Sequence, residues 1–194
     1  MPSPQMRLVY RLEKDNILRP DTTLEKLATL KPAFDKRSGQ GTLTAGNSTN
    51  LSDGASAALL SSEAWAQANG KEIQAYLVDA QVAAVDFVAG EGLLMAPAWA
   101  VAQLLKRNNL KLQDFDFYEI HEAFAAQVLC TLKAWESDEF CKTKLGMDGA
   151  LGSIDRSKLN VVGSSLALGH PFAATGARIV ATAANDDLAT VNES

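Results

Sequence analysis

Two segments of this 194-residue chain are built alike: an apolar run of strand character, a histidine, then a helix-forming stretch. In one, "FDFYEI" (115–120) runs straight into "HEAFAAQVLCTLKAWE", where Phe124, Val128, Leu132 and Trp135 recur at helical spacing. In the other, "KLNVVG" (158–163) leads through "SSLALGHPF" to the alanine-rich "AATGARIVATAA". Strands alternating with helices of this length define an α/β chain. His121 and His170 are the chain's two histidines, and each follows a strand-like run. The carboxyl ends of strands are where ligand chemistry collects in α/β folds, and helix starts present unpaired N–H groups. His121 is expected to begin its helix and His170 to precede one.

The rest of the chain supports this class. "TTLEKLATL" (22–30) offers a threonine N-cap and apolar residues at helical spacing. "SEAWAQANG" (62–70) is helical and stops at Gly70, and Pro97 suits the first position of the helix "PAWAVAQLLKRN". "EIQAYLVDAQVAA" (72–84) is strand-like, and "ASAALL" (55–60) is either a buried strand or a helix turn. Residues 37–55, with four glycines, form a long loop. Hydrophobic residues make up 47% and charged residues 21%, the composition of a globular protein. No apolar run nears the roughly 18 residues of a membrane helix, and the N-terminus lacks a secretory h-region, so no membrane insertion is expected. A net charge of −5 without basic clusters argues against a nucleic-acid partner. Two cysteines without a CxxC suit a reducing, cytoplasmic setting and no structural metal site.

Around His170 the sequence is "LGHPFAATG". Gly169 allows a tight turn or a close approach. Pro171 fixes its own φ and biases His170 towards an extended conformation. A ring aimed in this way suits a general base within reach of a nucleophile. A loop histidine that merely caps the next helix fits the same residue types.

The three stretches "AGNSTNLSDGA", "HEAFAA" and "GHPFAATGAR", in this order and spacing, resemble the thiolase family, the CoA-dependent acyltransferases that make or cleave 3-oxoacyl-CoA thioesters. The resemblance runs from about Leu18 to about Ala184 and covers the second, C-terminal half of that fold. It implies residues 1–45 as the end of the CoA-binding loop region and 46–194 as the C-terminal domain without its last strands. The histidine of "HEAFAA", where many biosynthetic relatives have asparagine, is similar to the fatty-acid β-oxidation branch.

Carried over residue by residue, the resemblance makes His170 the base that deprotonates a cysteine. His121 helps to hold an oxyanion-hole water. Ala123 and Phe124 line the substrate pocket, and Gly169 lies near the acyl group. Ser48 and Thr49 lie along the pantetheine arm of coenzyme A, and Arg19 lies near the adenine end. Glu122 holds the site together rather than reacting. CoA and acyl-CoA are substrates, with no covalently bound cofactor. The implied partners are a second copy in a homodimer, a thiolase N-terminal half, and a hydratase/dehydrogenase α-subunit.

Neither of the family's two cysteine motifs occurs here, so the chain alone is expected to be inactive. An assembly or CoA-binding module that pairs with a thiolase subunit is a second reading. A cysteine hydrolase built on Cys130, His170 and Glu122 is a third. Against it, Cys130 lies about 12 Å along the predicted helix from Glu122 and is expected to pack as a small hydrophobe. Cys141 sits in a charged segment without a sign of activation. Asp53 is expected to cap or turn the chain, Trp65, Trp99 and Trp135 to fill the core, and Asp186–Asp187 to form a solvated end.

Overall fold

The computed structural model describes residues 14–185, so expectations for the N-terminal stretch before Lys14 and for Asp186–Asp187 lie outside the described residues. Seven α-helices are present among them: α1 Leu24–Ala28, α2 Glu63–Ala68, α3 Ala96–Asn108, α4 Ala125–Glu136, α5 Asp138–Thr143, α6 Ser165–Leu168 and α7 Phe172–Ala183. The threonine cap is as the sequence predicts. The Thr23 side chain accepts from Lys26 N–H at the start of α1, and Ser62 accepts from Trp65 N–H at the start of α2. Pro97 stands in the first turn of α3, where no intrahelical N–H bond is lost.

The core lies between α3, α4 and α5. Ala98 and Leu105 on α3 meet Val128, Leu132 and Trp135 on α4, all buried. Trp135 Nε1 donates to the Ala98 carbonyl at 3.4 Å, so the indole is both packed and satisfied. Cys141 is fully buried and its Sγ contacts the Ala134 and Trp135 carbonyls. Cys130 instead faces solvent on α4, because the buried stripe of that helix passes through Val128, Thr131, Leu132 and Trp135. The expectation that Cys130 packs is therefore corrected. Trp65 is likewise 44% exposed, whereas Trp99 is partly buried against Phe140.

The expected strands differ most. Among the described residues the pairing consists of three isolated bridges: Pro32 with Thr44, Ser48 with Phe124, and Tyr118 with Leu159. Segments 115–120 and 158–163 do run side by side, in parallel, but through a single bridge. Residues 72–84 make no ladder within the described chain. A strand is defined by the neighbour that completes its hydrogen bonds, and these segments have too little neighbour. Residues 55–60 form neither a strand nor a helix turn, and Asp53 stands neither in a turn nor at a helix start.

Candidate active site

His121 does not begin α4. The helix starts at Ala125 with Phe124 as its N-cap, and residues 121–124 form the approach to it. This approach is held from two sides. Thr49 N–H donates to the Ala123 carbonyl and Ala125 N–H to the Asn47 carbonyl, each at 3.0 Å. Ser48 is bridged to Phe124 between these bonds. Ser48, Thr49, Ala123 and Phe124, four residues implied by separate motifs, are therefore neighbours. The Ser48 hydroxyl is buried and has no protein partner.

Asn160 secures the other side. It adopts a left-handed conformation, φ 50°, which asparagine tolerates better than most residues. Its amide accepts from Ile120 N–H at 2.8 Å and donates to the Ile120 carbonyl at 2.9 Å. The same Nδ2 donates to Glu122 Oε1 at 2.8 Å. Glu122 Oε2 accepts from Leu166 N–H, so this carboxylate satisfies the first turn of α6 rather than that of its own helix. No feature of the sequence separates Asn160 from an ordinary loop asparagine.

The two imidazoles meet. Their centroids are 4.0 Å apart, with the ring planes at 45°. His121 Nδ1 lies 2.8 Å from Ser165 Oγ, and His170 Nδ1 lies 2.7 Å from Thr175 Oγ1. Arg178 Nη2 donates to Ser165 Oγ at 3.0 Å and more weakly to Ser164. Burial pulls the His121 pKa down to about 4, helped by His170 and by the Arg178 guanidinium. Burial and Arg178 also lower that of His170. Both rings are thus neutral at pH 7. Nearby, burial raises the Glu119 carboxyl, with Arg178 opposing and Glu122 reinforcing the shift.

Gly169 precedes the histidine at φ 87°, a region that side chains avoid, and a Cβ there would run into the Ser52 side chain. Pro171 caps α7 and packs against Gly54, where an added Cβ would lie 2.7 Å from the proline ring. His170 consequently opens onto a groove of about 470 Å³ lined by Leu51, Ser52, Asp53 and Phe172. An adjoining groove of about 590 Å³ shares Leu51, Ser52 and Asp53 and reaches Asn16 and Ile17. His121 is in contact with His170 rather than on a groove wall. Arg19 is exposed, and its Nη1 is folded back on the carbonyls of Asn16, Ile17 and Leu18.

The hydrolase arrangement is absent. His170 Nδ1 bonds Thr175, Glu122 is taken by Asn160 and Leu166, and Cys130 lies on the exposed face of α4. Among the described residues no cluster of three His, Cys, Asp or Glu side chains is placed to hold a metal ion, and no helix is long and apolar enough to cross a membrane. Ser165, Thr175 and Arg178 emerge from the coordinates. Thr175 and Arg178 lie within the glycine-histidine-proline stretch and Ser165 just ahead of it, but their pairing with the rings is not a property of spacing.

Residues 71–190 match the family model "Thiolase, C-terminal domain", and residues 5–64 match "Thiolase, N-terminal domain". The chain belongs to the thiolase family, and its fold is thiolase-like. It is 47% identical over 175 residues to a 3-ketoacyl-CoA thiolase of Shewanella amazonensis, covering 90% of this chain and 39% of the relative. A 3-ketoacyl-CoA thiolase of Pseudoalteromonas atlantica is 47% identical over 174 residues, with 90% of this chain and 39% of the relative covered. Among solved structures, the Bacillus anthracis acetyl-CoA acetyltransferase superposes with a TM-score of 0.68 at 38% identity, over 88% of this chain and 38% of that one. Human mitochondrial 3-ketoacyl-CoA thiolase in complex with CoA gives 0.67 at 32% identity, over 88% and 37%. The chain thus spans about two fifths of the length of the curated relatives it matches.

Proposed function

We propose that this chain supplies the histidine-bearing part of a CoA-dependent acyltransferase that cleaves or condenses 3-oxoacyl-CoA, in the manner of fatty-acid β-oxidation. The observation that carries the reading is the contact of the two neutral imidazoles beside a groove, in a chain of thiolase descent. His170 accepts the proton of a cysteine thiol. An ordinary thiol, with a pKa near 8.5, is mostly protonated at neutral pH, so a neutral imidazole beside it raises the thiolate population. The reaction passes through an enolate or a tetrahedral oxyanion next to sulfur. His121 serves that oxygen, directly or through a held water, and such donors contribute about 3–4 kcal/mol each in comparable sites.

Residues 46–194 are the histidine-bearing unit, and 1–45 end the region along CoA. Ser48 and Thr49 lie on the pantetheine side, Arg19 towards the adenine, Ala123 and Phe124 against the substrate, and Gly169 near the acyl group. Glu122 holds this arrangement rather than reacting.

The attacking sulfur comes from another stretch of polypeptide. Cys141 is sealed in the core and Cys130 faces solvent on α4. The chain alone is therefore inactive. It works in a reducing, cytoplasmic setting with a thiolase N-terminal half or a second subunit, and a hydratase/dehydrogenase α-subunit is a further partner. The test is complementation. The chain is co-expressed with a thiolase N-terminal half carrying its cysteine, and thiolysis of a 3-oxoacyl-CoA is followed. Turnover that vanishes in H170A supports the reading, and turnover that survives H170A overturns it. Under the second reading, a CoA-binding or assembly module, CoA or the partner binds but no complement yields turnover. The apolar surface such a module would need is present.

A further inference from the structure

His121 and His170 touch, yet their hydroxyl partners are not equivalent. Ser165 is fully buried. Two groups stand within hydrogen-bonding distance of its Oγ: Arg178 Nη2 at 3.0 Å and His121 Nδ1 at 2.8 Å. A guanidinium only donates. If His121 Nδ1 also carried hydrogen, Ser165 would receive two donors while its own hydrogen stood buried without an acceptor. That arrangement is the costly one. The serine hydrogen therefore points to a bare His121 Nδ1, and the ring hydrogen sits on Nε2.

At Thr175, also buried, the neighbours reverse the logic. Its Oγ1 has an acceptor of its own, the Pro171 carbonyl one turn back at 3.4 Å, and faces His170 Nδ1 at 2.7 Å. Both bonds form together if the threonine donates to the carbonyl and accepts from His170 Nδ1–H. That leaves His170 Nε2 bare.

We propose that Ser165, fixed by Arg178, and Thr175, fixed by the Pro171 carbonyl, hold the two touching histidines in opposite tautomers, His121 as an Nε2–H donor and His170 as an Nε2 acceptor. Ser165 and Thr175 are positioning residues. They give two chemically identical rings opposite duties, one offering a hydrogen and the other taking one. Neutrality of both rings is the condition for a tautomer choice to exist, and the cationic Arg178 beside them helps to maintain it. Those duties in acyl transfer rest on the function proposed above, whereas the tautomers themselves rest on the hydrogen bonds alone.

The full chain has two histidines, so ¹⁵N-histidine labelling and long-range ¹H–¹⁵N correlation at neutral pH read both rings in one spectrum. H121N assigns the signals. One ring protonated at Nε2 and bare at Nδ1, belonging to His121, and one with the reverse pattern, belonging to His170, are expected. In S165A the Nδ1–H form of His121 rises about tenfold, the scale of one buried hydrogen bond, while His170 keeps its pattern. In T175V, which preserves shape, His170 loses its bias and His121 does not. Any other wild-type distribution overturns the proposal without any variant, and so do tautomers unmoved by both substitutions. If the tautomers are as assigned but complementation gives no turnover, the acyl-transfer reading fails and the tautomer assignment stands.

Discussion

At the scale of single residues, the depressed basicity of His121 carries a consequence for stability. The unfolded chain takes a proton on this ring as pH falls through about 6.5, but the folded chain does so near 4. Between these values the unfolded state binds more protons, so stability falls on acidification and levels off below about pH 4. His170 adds in the same direction. Glu119 opposes it, because its raised folded pKa favours the folded state as pH falls. The difference between wild type and H121N isolates the ring. Urea midpoints from pH 7.5 to 4 should show wild type losing about 1–2 kcal/mol relative to H121N, less than the full shift because the ring is only half-buried. Parallel curves would show that His121 titrates normally when folded.

At the scale of elements, what the sequence reveals divides by locality. The Thr23 cap, Pro97 and the stripe of α4 were readable because partner and periodicity lie within a few residues. The strands were not, because residues 115–120 need residues 158–163 and residues 72–84 need a neighbour that the described chain does not provide. The start of α4 was misplaced at His121 because the approach to it is fixed by Asn47, Thr49 and Asn160, all distant in sequence. The short α6 was hidden because its first turn is satisfied by Glu122, 44 residues away. Gly169 shows both kinds of information. Its need for a turn was legible, but its contact with Ser52 was not. G169A meets two separate penalties, the left-handed backbone and the collision. We expect a loss of about 2–3 kcal/mol by urea denaturation. The double substitution G169A/S52G should recover part of it and no more. Full recovery would mean that backbone strain contributes nothing, and no recovery would mean that the collision does not exist.

At the scale of the whole molecule, the exposed surface decides what the chain requires. Its accessible area is 14323 Å², against about 9,000 Å² for a compact monomer of this mass. Leu51, Val78, Val82 and Val88 are each at least 85% exposed. Val78 and Val82 lie in a segment whose backbone makes no ladder among the described residues, and unpaired backbone N–H and C=O groups beside apolar side chains invite association. The excess, about 5,300 Å², is above the roughly 1,000–2,500 Å² that each partner loses in an obligate interface, and too large for a transient contact. Under the function proposed above, a second polypeptide with a matching apolar face, a thiolase N-terminal half or another copy, would cover it. The isolated chain should therefore bind the dye ANS strongly and elute as a dimer or larger species in light-scattering chromatography. Co-expression with an N-terminal half should abolish most of the dye signal and give one defined complex. A monodisperse monomer that leaves ANS dark would mean that residues 72–84 find their cover within this chain, and the need for a partner would disappear with it.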